Sequence, residues 1–153
     1  MTWGEFASEA PTLAAAGEKL FRAFTLAFVA TIRADGWPRV HPMTITVYDG
    51  GLYVFPVHST PKAQDFERDG RYALHAFPHL PDRTLDSYVD DEFTCAGRGV
   101  RVEARALRDA IIAVHNDNVA AEDSLFRLDL DRAHHKTRVR GRAVHTRWST
   151  PSR

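Results

Sequence analysis

The chain has 153 residues with 20 basic and 20 acidic side chains, so its formal net charge is zero. That length fits one domain around one core, and the balanced charge argues against nucleic acid or an anionic membrane surface as a main partner. A single cysteine, Cys95, excludes an internal disulfide framework and a cysteine-based zinc finger, and it points to a reduced, cytoplasmic setting.

The opening stretch, MTWGEFASEAP, carries acids and no long apolar run, so it does not read as a signal peptide. No later run approaches the roughly 20 apolar residues of a membrane span. Behind Pro11, the residues Leu13, Ala16, Leu20, Ala23 and Phe24 recur at helical spacing and predict an amphipathic helix over about 12–24. An apolar run from Leu26 to Ile32 then meets the turn Ala34-Asp35-Gly36. The next run, Arg39 to Tyr48, alternates Met43, Ile45 and Val47 against Thr44, Thr46 and Tyr48. Asp49-Gly50-Gly51 follows, and a third run, LYVFPV, begins at Leu52. Asp-Gly between β-type runs is a strong hairpin signal. The three runs together predict a three-stranded antiparallel meander.

Pro61 to Arg68 reads as a short helix and RYALHAF, 71–77, as a strand. The stretch PHLPDRTLDSYVDD is rich in proline and acid and predicts an exposed loop, its acidic part at 82–92 suited to a lid over a groove. EFTCAGRGVRVEA reads as a strand in which two glycines predict a bulge or bend, with Cys95 as a buried thiol. A helix follows over LRDAIIAVHNDN, and LFRLDLD and TRVRGRAVHTRW close the chain as strands. Six or seven strands with a few helices predict a mainly β domain over 1–153, a closed or nearly closed barrel that removes exposed edges.

Several clusters bear on chemistry. The third run ends in His58-Ser59-Thr60 and passes through Pro61 straight into a helix with Lys62 in its first turn. Hydroxyls and a lysine at a helix start make a phosphate cradle; the same residues also make an ordinary cap with a solvated lysine. His75 and His79 are separated by Pro78, which breaks the helical spacing of a zinc pair. His134-His135, read as a loop before the last strand, offer an imidazole for haem. The acidic stretch Asp86, Asp90, Asp91 and Glu92 lacks the calcium-loop pattern, and no metal site is expected. On a single strand, Arg138, Arg140 and Arg142 would share one face, suited to an anionic tail. Neither a Ser-His-Asp order, a Cys-His order nor a dinucleotide-binding glycine fingerprint is present, and no residue stands out as a catalytic acid or base.

Taken in order, ATIRADGWPRVHPMTITVYDGGLYVFPV, STPKAQDFERDGRYALHAF, EFTCAGRGVRVEA and a last strand pair ending in Trp148 resemble the pyridoxamine 5′-phosphate oxidase-like family of FMN-binding split barrels, over residues 12–148. The resemblance implies a split β-barrel that forms a homodimer, with FMN at the subunit interface and hydride transfer to or from a small substrate. It implies that Arg39, Thr60 and Lys62 hold the phosphate with Ser59 beside them. It places Pro42, Met43 and Thr44 along the flavin ring, and Trp148, like Trp37, is suited to stack on a ring. The chain departs from the true oxidases: no lysine follows Arg39 on its strand, Pro61 replaces the turn arginine, and the Arg-x-His element is not recognisable. Oxidation of pyridoxamine phosphate is therefore not expected. The same fold also implies two alternatives, a reductase using the deazaflavin F-420 through Arg138 and Arg140, and a non-enzymatic flavin- or haem-binding sensor.

Overall fold

A computed structural model describes residues 1–24, 26–76, 91–115 and 117–151. In chain order the elements are α1 (Trp3–Glu9), α2 (Pro11–Ala23), β1 (Leu26–Ile32), β2 (Pro38–Thr44), β3 (Thr46–Tyr48), β4 (Gly51–Val54), α3 (Pro61–Arg68), β5 (Arg71–Ala76), β6 (Glu92–Val102), α4 (Arg105–Ile112), β7 (Leu125–Val139) and β8 (Arg142–Ser149). The strands join in one antiparallel sheet in the order β2-β1-β5-β6-β7-β4-β3, with β8 on β7. The two ends of this path, β2 and β3, are consecutive in the chain and flank the buried Ile45. The sheet must therefore curl, and the result is a split barrel.

That curl corrects the expected meander. β2 pairs with β1 and β3 pairs with β4, whereas β2 and β3 are not neighbours in the sheet. The run 39–48 is broken at Ile45 because its halves find partners on opposite sides. The Asp-Gly hairpin signal holds: Asp49 (φ 43°) and Gly50 (φ 70°) both take the left-handed conformation between β3 and β4.

The bulge expected in the glycine-rich strand lies on its partner: consecutive Ala96 and Gly97 of β6 pair with Arg132 and Leu130, and the extra residue, Asp131 of β7, is left unpaired in the ladder. Gly97 is required there by close approach, since a Cβ would lie 2.0 Å from the Asp129 carbonyl oxygen. The Asp131 carbonyl accepts a bond from the Thr150 backbone N–H at 2.8 Å. The strands expected at 125–131 and 137–148 are instead one long strand and its hairpin partner. His134 and His135 thus lie within β7 rather than in a loop. Arg138 is on β7, Arg140 in the turn (φ 49°) and Arg142 on β8, so these three arginines do not line one strand.

One face of the sheet is sealed by α1 and α2. The sequence reading missed α1, which is closed by a capping box between Thr2 and Glu5. Trp3 packs edge-on against Phe6, Phe21 and Phe93 with ring centroids 5.1, 5.7 and 5.8 Å apart. Its Nε1 donates to Glu18 Oε1 at 3.0 Å. Beneath these rings lie Val29, Leu74, Cys95 and Ala133, the inward residues of β1, β5, β6 and β7. Burial pushes the Cys95 thiol up to about 12, as suits a packing residue rather than a nucleophile. Among the described residues no helix is long and apolar enough to cross a membrane.

Candidate functional site

β2 ends the hydrogen-bonded path, so among the described residues its outer edge is free, and its residues alternate between two environments. Arg39, His41 and Met43 turn one way and Pro38, Val40 and Pro42 the other. The first set faces α3. There the buried carboxylate of Asp65 accepts from Arg39 Nε (2.8 Å), Thr31 Oγ1 (2.9 Å) and Arg68 Nη2 (3.2 Å). Burial pushes the Asp65 carboxyl up, but these three donors outweigh it and hold it below the ordinary carboxylate value. Asp65 thereby fixes the Arg39 stem. The terminal nitrogens of Arg39 and the Lys62 ammonium make no hydrogen bond or ion pair with the described residues.

His41 sits beside these cations. It is held down at about 4, first by burial, then by the charges of Lys62 and Arg39, against a smaller opposing pull from Asp65. Its Nε2 is shielded from water and has no hydrogen-bond partner among the described residues. Thr60 is the N-cap of α3, yet its hydroxyl does not cap the helix; it donates to the Val57 carbonyl at 2.6 Å. Ser59 is exposed in the same turn.

The second environment is the open face of the sheet. The ladder pairs Pro42 with Phe28, Phe28 with His75, His75 with Thr94, Thr94 with His134 and His134 with Arg147. The next row is Val40, Ala30, Ala73, Ala96 and Arg132. Its floor is apolar and small, and Arg71, Arg132 and Arg147 stand along it. Together these rows bound a cleft of about 1170 Å³. Phe28 (39%) and Val40 (64%) remain exposed there. His134 Nε2 and His145 Nδ1 are 2.9 Å apart with ring planes 4° apart and centroids at 5.1 Å, which is an in-plane N–H···N bond. Burial, with Arg147 and His145, lowers the affinity of His134 for a proton.

The expected site residues divide among these places. Arg39 and Lys62 meet beside His41, with Thr60 next to Lys62 in sequence. Pro42 lies on the open side of β2. Met43 is buried in the core, and buried Thr44 donates to Asp117 Oδ2 at 3.3 Å. Trp148 borders the cleft, but its ring packs on Phe6 at 4.8 Å and its Nε1 donates to Glu9 at 3.1 Å, so it is fixed to α1. Trp37 is 70% exposed at the β1–β2 turn. His135 is bonded to Asp91, which Lys19 also approaches at 3.6 Å. Residues 77–90, with His79, Asp86 and Asp90, lie outside the described residues. The sequence reading passed over His41 and Asp65. The signal for His41 was its place two residues beyond Arg39 on an alternating strand.

Among the described residues no cluster of three or more His, Cys, Asp or Glu side chains could hold a metal ion. The family model for pyridoxamine 5′-phosphate oxidase matches residues 13–143. No curated protein matches the chain. Among solved structures, a heme binding protein from Mycobacterium smegmatis superposes with a TM-score of 0.65 at 21% identity, covering 86% of this chain and 57% of that one. HutZ, the heme storage protein from Vibrio cholerae, gives 0.63 at 18% identity, covering 77% and 89%. A Clostridium acetobutylicum protein related to general stress protein 26, of the pyridoxinephosphate oxidase family, gives 0.60 at 12% identity, covering 85% and 90%. The chain thus spans little more than half of the mycobacterial protein. At these identities the likeness shows the fold. The family model covers most of the chain, and the chain belongs to the pyridoxamine 5′-phosphate oxidase family.

Proposed function

We propose that this member of the pyridoxamine 5′-phosphate oxidase family is a homodimeric flavoprotein that holds FMN along the free edge of β2 and serves hydride transfer with a small substrate. The observation that carries the reading is a pair of cations beside His41: Arg39, held through Nε by Asp65 with its terminal nitrogens left over, and Lys62 in the first turn of α3, whose ammonium has no partner among the described residues. A phosphate dianion needs several converging donors and positive charge to leave water. Arg39 and Lys62 would supply them with the exposed Ser59 hydroxyl adjacent, and the Thr60 hydroxyl would join only by leaving the Val57 carbonyl. A ligand lying along the β2 edge touches this set on one side and Val40 and Pro42 on the other, so one molecule could use both the charged and the apolar environment. The bound flavin supplies the two-electron chemistry. The chain's part is to hold the phosphate, orient the ring and exclude water. A second copy laid over Phe28 and Val40 would cover the open face and complete the walls.

The test is an absorbance spectrum of the purified protein followed by titration with FMN, riboflavin and F-420. FMN should bind, and Lys62→Ala should weaken it by about 1.5–3 kcal/mol, roughly tenfold to a hundredfold. Riboflavin, which lacks the phosphate, should be indifferent to that substitution. Unchanged FMN affinity in Lys62→Ala removes the lysine from the site.

A second reading, haem in the cleft, is favoured by His134 set among Arg71, Arg132 and Arg147, since imidazole suits an axial position and arginines suit carboxylates. It expects a Soret band on adding haemin that His134→Ala abolishes. A haemin spectrum identical in the two proteins counts against it.

A further inference from the structure

We propose that His41 is the proton-accepting third member of the Arg39–Lys62 anion site, neutral while the site is empty and protonated when a phosphate or sulfate dianion occupies it. The inference rests on the anion-site reading above and adds a proton to it. His41 follows Arg39 by two residues on β2 and shares its face, turned toward α3. The charged groups around it are Arg39 on its own strand and Lys62 and Asp65 on α3, with Arg68 bound to Asp65. Its ladder partner on β1 is the apolar Val29. A buried Nε2 with no partner is rare and calls for an explanation. A ligand that brings an acceptor is one.

The electrostatics run the same way. Burial and two nearby cations keep the imidazole neutral, at about 4 against an ordinary 6.5. Asp65 is committed to three donors and offsets them only in part. A dianion among Arg39 and Lys62 cancels their charge and leaves a net negative neighbour, which favours imidazolium. Between the empty and the occupied midpoints, up to one proton then moves from solvent to His41 for each anion bound, and far less at neutral pH. By reciprocity, a proton on His41 tightens the anion by the same factor. Affinity therefore rises as pH falls from neutrality toward the value at which the empty site's His41 charges.

Sulfate is the probe, because it remains a dianion between pH 5 and 8 and adds no titration of its own. The His41 imidazole signal would be followed by NMR with and without sulfate, and sulfate and FMN affinity measured by calorimetry at several pH values in buffers of different ionisation enthalpy. The expected result is a His41 midpoint about two units higher with sulfate bound, and sulfate binding roughly five- to tenfold tighter at pH 5 than at pH 7. His41→Asn and His41→Phe should each flatten that profile. If sulfate and FMN bind but the midpoint stays put, or the variants keep the wild-type profile, the role of His41 is overturned and the FMN reading stands. If neither FMN nor sulfate binds, both fall.

Discussion

The two faces of one sheet have opposite fates. Inward, Val29, Leu74, Cys95 and Ala133 lie under the rings of Trp3, Phe6, Phe21 and Phe93. Outward, one residue along on the same strands, Phe28, Ala30, Ala73 and Thr94 line a cleft that no element of the described chain covers. The inner face accounts for folding, through burial of large apolar surface. The outer face is apolar in its floor and cationic along its side, which folding alone does not require. The difference separates residues kept for stability from residues available to a partner or ligand.

The comparison breaks most directly at two phenylalanines. Phe93→Ala should cost about 3–5 kcal/mol in denaturant unfolding, because it empties a site walled by Trp3 and Phe21. Phe28→Ala, on the other face, should cost about 0.5 kcal/mol or less at protein concentrations where the chain is monomeric. Equal losses would show that the open face is part of the monomer's core. Next in size is Asp65→Asn, expected to cost about 1.5–3 kcal/mol by weakening the charged bonds that anchor Arg39 and Arg68, with FMN affinity falling as well. If FMN affinity is untouched, the anchoring of Arg39 is irrelevant to binding. Smallest in monomer stability is Val40→Asp. It should leave the unfolding midpoint of the monomer nearly unchanged while shifting sedimentation from dimer to monomer; an unchanged sedimentation profile would remove this face from the subunit contact.

Local chemistry made parts of this legible in the sequence. The Leu26–Ile32 strand, the Asp49-Gly50 turn and the helix behind Pro61 are all set by neighbours in the chain. The break at Ile45 was not legible, because no glycine or proline marks it; it arises only when β1 and β4 claim opposite halves of the run. α1 is seven residues long, and its Thr2–Glu5 cap was overlooked for want of a long apolar period. At the candidate site, Arg39 and Lys62 could be named from residue type and position. The weight of Asp65 could not, since Thr31, Arg39 and Arg68 reach it from three separate elements.

The unpaired Asp131 has a consequence for the identity of the cleft wall. Before it, the even-numbered residues Phe126, Leu128 and Leu130 of β7 point into the core; after it, the odd-numbered Ala133 does, and Arg132 and His134 turn to the cleft. The extra residue acts as a phase change in the strand's alternation. Drawn into a regular ladder with no bulge, the same sequence would turn Arg132 and His134 against the packed rings and present Ala133 and His135 outward, so the bulge at Asp131 decides which chemistry the arm displays.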